Sequence, residues 1–399
     1  MNVPPWIVIP FLLLATMKLQ PIVQELVSLI DANNWQSDFE MAVLNAAQAK
    51  VAELEGMRCL DDFLKFINDF VTWIPRENET GTMFYSKACA FYFVLDQEPI
   101  VHYQNRVRPY SRQPELTPLS QWIVRYAQQM GSFMDSPESL SEESLETFYQ
   151  SPAYNLHEYI RPNGGWKTYN QFFARTVKPG YRPVAAIADP TVITSPADSV
   201  FSGQWEIRSD SGITIKGLHW SVEELLAGSP YQHRFANGLF THAFLSPTDY
   251  HRQHAPVDGV VVEARVIPGQ AYLQVVVETP EHMQVQKREP GARRLVARRQ
   301  LLAPDEAGYQ FAQARALILF DSPIGLVAVM PIGMAMVSSV MLTAEQGMTL
   351  RKGEEISYFQ FGGSDVVMLF EAASNVSITA QLGVHYKVGS RIAQAFPVI

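Results

Sequence analysis

The sequence predicts an α+β protein, helical in its first part and strand-rich in its second. Two patterns carry that expectation. From residue 21 to about 176 the apolar residues recur at three- and four-residue steps, the spacing of one helix face. Beyond that point they come in short runs bounded by Gly, Pro or Asp, as strands do. A length of 399 residues and a hydrophobic content of 47% allow two domains or one large one around a real core.

In chain order, Ile22, Leu26, Leu29 and Ile30 share the first helix face. Leu60, Phe63, Leu64, Ile67, Phe70, Val71 and Ile74 define a second, which Pro75 ends because its ring cannot continue the helix. Met83 to Leu95 is almost wholly apolar and reads as a buried helix. Leu119, Ile123, Tyr126 and Met130 mark a further amphipathic one. Ser136 before Pro137 reads as a cap, and Ser139 with Glu142 as a capping box. Thr168 to Arg175 is a short helix leading into Pro179-Gly180-Tyr181-Arg182-Pro183. The strands follow: Leu239 to Leu245, Val257 to Ile267, Ala316 to Phe320, Leu326 to Pro331, Val337 to Thr343 and Val376 to Leu382. Asp321-Ser322-Pro323-Ile324-Gly325 is a hairpin loop. The polar, basic stretch Glu281 to Arg299 reads as a solvated loop, with a lid over the site as the alternative.

Composition excludes several functions. A net charge of −9 leaves no electrostatic footprint for nucleic acid, and argues against constant attachment to anionic lipid. Two cysteines, Cys59 and Cys89, fit a reducing compartment and the core better than a disulfide framework. Trp6 to Leu14 is apolar but broken by Pro10 and preceded by no basic residue. It is too short to span a bilayer and lacks the marks of a signal peptide. The expectation is a packed strap on a cytoplasmic protein, with peripheral membrane contact as the alternative.

The stretch richest in chemistry is Lys352-Gly353-Glu354-Glu355-Ile356-Ser357-Tyr358-Phe359-Gln360-Phe361-Gly362-Gly363-Ser364-Asp365, followed by the apolar run Val366 to Phe370. Taken alone, Gly-Gly-Ser-Asp between two strands is ordinary turn composition. The sharper alternative is a bond that cuts itself. Gly363 leaves its carbonyl open, and the Ser364 hydroxyl is a nucleophile next to it.

Three linked motifs weigh toward the sharper alternative: Ser195-Pro196-Ala197-Asp198, the string from Ser246 to Gly259 that contains Tyr250-His251-Arg252-Gln253-His254-Ala255-Pro256-Val257-Asp258-Gly259, and the Lys352 to Ser364 block. Together they resemble the pyruvoyl-dependent phosphatidylserine decarboxylase family over the second half of the chain. The Phe172-Phe173-Ala174-Arg175 string is similar to that family's opening motif. The resemblance thus implies a helical N-terminal domain over 1–164 and a β-rich decarboxylase domain over 165–399, self-cleaved between Gly363 and Ser364. The catalytic residues it implies are Asp198, His254 and Ser364, with Ser364 converted to the pyruvoyl cofactor, His254 as base and Asp198 as its carboxylate partner. Chains 1–363 and 364–399 would stay associated.

The chemistry is coherent. Decarboxylation of an amino acid needs an electron sink, and a carbonyl that forms a Schiff base with the substrate amine is one. No lysine and phosphate cradle for pyridoxal phosphate stands out. His251 and His254 lie three apart, yet no third zinc ligand follows at a recognised spacing, so no metal is expected. Arg315 matches an arginine of the family's Asn-x-Arg string, with Gln313 in place of the Asn, and reads as a steadying residue. Two departures stand out: Asp365 where the family has Thr or Ser, and Ala197-Asp198-Ser199 in place of Ala-Asp-Gly. A carboxylate at 365 would oppose a nearby oxyanion unless neutralised or turned away.

The helical first part resembles the arrangement of the soluble branch that contains the fungal tryptophan decarboxylase of the psilocybin pathway. The expected substrate is therefore a free L-amino acid, aromatic among the options. The alternatives are phosphatidylserine, giving phosphatidylethanolamine, and a non-cleaving, non-enzymatic scaffold of the same fold.

Overall fold

Helix-spaced apolar residues and strand runs build an α+β chain, seen in a computed structural model that describes residues 18–109, 115–215, 217–278, 299–303, 308–336, 339–361 and 364–398. The Trp6 to Leu14 strap, nearly all of the Glu281 to Arg299 stretch, and Gly363 lie outside the described residues.

The helices are α1 (Pro21–Asn33), α2 (Gln36–Ala47), α3 (Leu60–Phe70), α4 (Met83–Leu95), α5 (Pro118–Met134), α6 (Glu142–Gln150), α7 (Tyr169–Phe173) and α8 (Val222–Leu226). Apolar on nearly every side from Ala88 onward, α4 is buried there throughout, as its composition requires. The expected capping box sits two residues later than its sequence suggests. Ser141 caps α6: Ser144 donates its backbone N–H to the Ser141 hydroxyl at 3.1 Å, and Ser141 N–H donates back to Ser144 Oγ at 3.0 Å. Ser139 is unavailable because its buried hydroxyl donates to the carbonyls of Met134 and Ser136.

The strands are β1 (Val192–Thr194), β2 (Ser199–Glu206), β3 (Gly212–Ile215), β4 (Leu218–Ser221), β5 (Leu239–Leu245), β6 (Arg252–His254), β7 (Gly259–Ile267), β8 (Val276–Glu278) and β9 (Gln300–Leu302). They continue as β10 (Arg315–Ser322), β11 (Gly325–Gly333), β12 (Ser339–Leu342), β13 (Thr349–Leu350), β14 (Glu355–Gln360), β15 (Ser364–Phe370), β16 (Val376–Ile378), β17 (His385–Tyr386) and β18 (Arg391–Ala395). Eight form one antiparallel sheet in the order β13-β7-β10-β11-β15-β5-β2-β17. A three-stranded sheet, β12-β14-β6, leads into it. Pro323-Ile324 closes the β10–β11 hairpin, with Ser322 opposite Gly325.

The main sheet is buried on both faces. One face joins a core that runs from Ile22, Phe91 and Trp122 of the helical part to Val366 and Met368 of β15. The other covers a smaller core with Trp220, Phe240, Phe311, Val367 and Leu369. No helix among the described residues is long and apolar enough to cross a membrane.

Asp96, at the end of α4, ties the two parts together by accepting the Val275 N–H at 3.1 Å. The residue's edge is partly exposed, but its Oδ1 is sealed and unpartnered. Burial pushes the carboxyl up to about 8. An unfolded aspartate releases its proton near 4, so the folded chain holds one more proton across the interval up to about pH 8. Stability should therefore fall as pH rises through that interval and level off above it. Asp96→Asn should be more stable than wild type at pH 8 and lose most of this slope in urea titrations. Parallel pH profiles for the two proteins would contradict it.

Candidate active site

Ser364 opens the strand β15, every residue of which pairs on both sides. Its neighbours across the ladder are Gly333 of β11 and Leu245 of β5. Side chains alternate along a strand. Ser364 therefore shares a face with Val366 and Met368, toward the helical part, while Asp365 shares the other with Val367 and Leu369. Ser364 is wholly buried and its Oγ has no hydrogen-bond partner among the described residues. A hydroxyl held out of water without a partner carries a desolvation cost, and it becomes a nucleophile only when a base takes its proton.

The expectation that Asp365 opposes an oxyanion at Ser364 loses its premise. The Asp365 side chain points through the sheet to the far side. There Tyr309 donates its hydroxyl to Asp365 Oδ2, Gln310 Nε2 donates to the same oxygen at 3.2 Å, and His242 Nε2 lies 3.1 Å from it. The carboxylate is both turned away and held.

The two histidines sit at opposite ends of one pairing. His254 lies across from Glu355, the first residue of β14, whereas Phe359, near its far end, donates its N–H to the His251 carbonyl. Four residues of strand separate those points, or about 13 Å. The chain runs into Ser364 from the His251 end. His251 is fully buried, with its ring 4.0 Å from that of Phe173.

His254 is set by backbone from two other motifs. Its Nδ1 lies 2.7 Å from the Gly353 carbonyl, which can only accept, so Nδ1 carries the proton and Nε2 takes the Tyr250 hydroxyl at 3.0 Å. Burial pushes the imidazole below its ordinary value, against the Gly353 carbonyl and the Glu355 and Asp198 carboxylates. His254 is thus a neutral imidazole with a lone pair on Nε2. The backbone N–H of His254 donates to Pro196 O at 2.8 Å, Gly353 N–H to Ala255 O at 2.8 Å, and Lys352 N–H to Asp258 at 2.7 Å. These bonds stitch the three sequence motifs together. Gly353 has a φ of +88° and a Cβ there would come within 2.4 Å of Val184, so only glycine closes this corner.

Asp198 does not hydrogen-bond His254. Arg182 grips it through Nε at 2.8 Å and through Nη2, and Val388 N–H adds a third donor at 2.8 Å. Arg182 also holds Glu158 at 2.7 Å, and its guanidinium lies 5.7 Å from the Tyr250 ring centre. Burial works against the Arg182 cation, yet Asp198 and Glu158 hold it above its ordinary range. Arg182 and Tyr250 thus lie between Asp198 and His254, and the Asp198 carboxylate acts on the imidazole through space as a charge. Arg315 is wholly buried, donating to the carbonyls of Leu225, Glu224 and Gln313. Burial pushes it down to about 10, so it stays a cation that steadies the end of α8.

Ahead of Ser364, Phe361 has a φ of +48°, a left-handed backbone that an aromatic residue rarely adopts. Its ring is clamped by Phe84 at 4.6 Å and Tyr169 at 5.6 Å, both from helices. Phe361 also lines a cavity of about 410 Å³ between α5 and the strands. Sequence reasoning missed Arg182 as the partner of Asp198, although a buried carboxylate demands a cation and Arg182 stood in the motif. It also missed Tyr250, and the Tyr309, Gln310 and His242 set, for which no local signal exists.

Residues 169–394 match the family model described as phosphatidylserine decarboxylase. The chain is 34% identical over 243 residues to phosphatidylserine decarboxylase proenzyme 3 of Schizosaccharomyces pombe, covering 60% of this chain and 22% of that one. It is 32% identical over 252 residues to phosphatidylserine decarboxylase proenzyme 2 of Oryza sativa, covering 62% and 36% respectively. To decarboxylase iboD of Amanita muscaria it is 31% identical over 268 residues, covering 64% of this chain and 75% of that relative. The chain thus spans well under half the length of the first two.

Arg182 and Asp198 fall inside the matched residues, with side chains only 4% and 3% exposed. Removing one member of a buried pair strands the other's charge. Arg182→Met should lower the unfolding free energy by about 3–5 kcal/mol in urea titrations at pH 7. A loss under about 1 kcal/mol, typical of an exposed pair, would contradict this burial.

Proposed function

The chain belongs to the phosphatidylserine decarboxylase family, and from that premise we propose that it cuts itself at Gly363–Ser364 and then removes the α-carboxylate of an L-amino acid. The observation that carries the reading is Ser364 itself: a wholly buried serine, its hydroxyl unpartnered among the described residues, heading a strand paired on both sides. In this reading the hydroxyl attacks the Gly363 carbonyl and the peptide nitrogen leaves, giving an ester. β-Elimination frees the carboxylate end of Gly363 and leaves dehydroalanine at 364. Water then releases ammonia and leaves a pyruvoyl group.

The surroundings of Ser364 suit such a group. Gly333 opposite offers no side chain to crowd it, and Leu245 flanks it on the other side. The group would supply an electron sink for a substrate amine. The protein's part is to seal it from water and to hold its strand. His254, neutral through burial and oriented by Gly353, is the base that the motif assigns in this reading, with Asp198 linked to it through space across Arg182 and Tyr250, while His251 is the histidine that stands at the Ser364 end of β14. The position of β15 between β11 and β5 supports the two pieces staying together after the cut.

Two readings of the substrate differ. The name of the Amanita muscaria relative, a decarboxylase with no lipid in it, leaves room for a free amino acid. The names of the Schizosaccharomyces pombe and Oryza sativa relatives favour phosphatidylserine, and this second reading has at least equal support from the relatives. The net charge of −9 weighs toward the amino acid, since a lipid surface rewards a basic face.

The test offers a panel of L-amino acids, aromatic ones included, and phosphatidylserine micelles to the same preparation, without pyridoxal phosphate. CO2 release from one or a few free amino acids is expected, and none from the Ser364→Ala protein. Turnover of the micelles alone would establish the second reading. Full activity in Ser364→Ala would remove the pyruvoyl mechanism.

A further inference from the structure

The cavity of about 410 Å³ that Phe361 lines lies on the face of the main sheet to which Ser364 points. Ser364 pairs with Gly333, whose N–H donates to Ala314 O at 2.8 Å, and Ala314 lines the cavity. Ala314 stands two residues ahead of Ala316, which shares the large core with Val366, so it too faces the helical part. Ser364, Gly333 and Ala314 are thus side by side, and two strand spacings, about 10 Å, separate the outer two. Gly333 between them has no side chain to block the way. Phe361 bounds the same cavity from another direction, and only Gly362 and Gly363 join it to Ser364 in the sequence.

The facing wall is one side of α5. Val124, Gln128, Gly131 and Asp135 follow one another there at three- and four-residue steps. A helix favours alanine over glycine, yet a Cβ on Gly131 would meet nothing within 4 Å. Packing does not require a glycine at 131; its effect is to leave room in the cavity. Asp135 is the one charged side chain among the described residues that line it. It caps the C-terminal end of α5, where the helix dipole is also negative. Its Oδ1 accepts from Asn170 Nδ2 at 3.0 Å and from Gln360 Nε2 at 3.5 Å, and its Oδ2 accepts from none of the described residues. The residue is exposed, so that second oxygen is open to a ligand.

We propose that this cavity takes the substrate's side chain, and that Asp135 selects one whose end donates an N–H, as an indole, a guanidinium or an ammonium does. The proposal rests on the amino-acid reading above and names its substrate class. With the substrate's amine at position 364, its side chain runs across Gly333, between Met336 and Phe361, to Asp135 Oδ2. A side chain ending in a carboxylate, or a phosphodiester, would set a second negative charge beside Asp135, and no described cation of the lining offsets it. Asp135 meets the far end of the substrate and not the reacting atoms, so it governs specificity.

The test compares kcat/KM for L-tryptophan against L-phenylalanine and for L-lysine against L-methionine, pairs that differ chiefly in the N–H donor. Wild type should favour the donor member of at least one pair by about tenfold or more, because a site built for a polar group rejects the analogue lacking it. In Asp135→Asn the Oδ1 keeps its two donors and an amide NH2 takes the open place, donor facing donor. That preference should then fall to one or below, mostly through KM. Gly131→Leu should fill the cavity and raise KM by about tenfold or more. Self-cleavage of each variant reports that it folds; should Gly131→Leu fail to cut, Asp135→Asn decides alone. No donor preference in wild type, an unchanged preference in Asp135→Asn, or an unchanged KM in a self-cleaved Gly131→Leu would each overturn the proposal and leave the amino-acid reading standing. Turnover of phosphatidylserine alone, or a wild type that does not cut, would remove that reading and the proposal with it.

Discussion

The ladder that holds Ser364 to Phe370 between β11 and β5 is the constraint on which the rest of the site depends. With seven residues paired on each side, a slip of one residue would flip every side chain of β15 to the opposite face. That slip would bury Asp365 in the large apolar core and carry Val366 into the polar set of Tyr309, Gln310 and His242. The register is therefore fixed energetically by both cores at once. Its consequence is chemical: the serine is delivered to one face with an idle hydroxyl, and the neighbouring carboxylate is delivered to the other, already hydrogen-bonded.

The helical part contributes to that site rather than merely adjoining it. Phe84 and Tyr169 pack on Phe361, whose left-handed backbone would otherwise relax. Strain of this kind costs of order 1–3 kcal/mol and persists only where the surroundings overdetermine it. Two cavities also lie along the seam between helices and strands, so each has one wall from either part. On the far side of the strands, backbone bonds among the His254, Gly353 and Pro196 corners hold a neutral imidazole in one tautomer. The buried Arg182 pair anchors that corner through Asp198.

Much of this was readable in the residues, and the reasons for the remainder are physical. Long stripes of large apolar side chains announce themselves, so α4 and β5 coincide with their sequence runs, Met83 to Leu95 and Leu239 to Leu245. The helix α2 passed unremarked because its buried face is Phe39, Ala42, Val43 and Ala46, half of it alanine. Ser139 drew the capping box to the wrong residue because its hydroxyl is spent on Met134 and Ser136, which the sequence does not show. At the site, the motifs located Ser364, His254 and Asp198, but not how they are arranged. Which histidine stands at the Ser364 end of β14 follows from strand register, and register is a property of pairs of segments. The partners of Asp365 are invisible for the same reason: only the sheet brings Tyr309, Gln310 and His242 beside it.

The central claim, that Ser364 turns its own peptide bond into a catalytic carbonyl, is tested most directly by the intact mass of the purified protein under denaturing conditions. The account predicts two species, residues 1–363 and 364–399, the smaller lighter than its sequence by one ammonia, and without a free amino terminus. A single uncut chain of 399 residues after long incubation at neutral pH would contradict it.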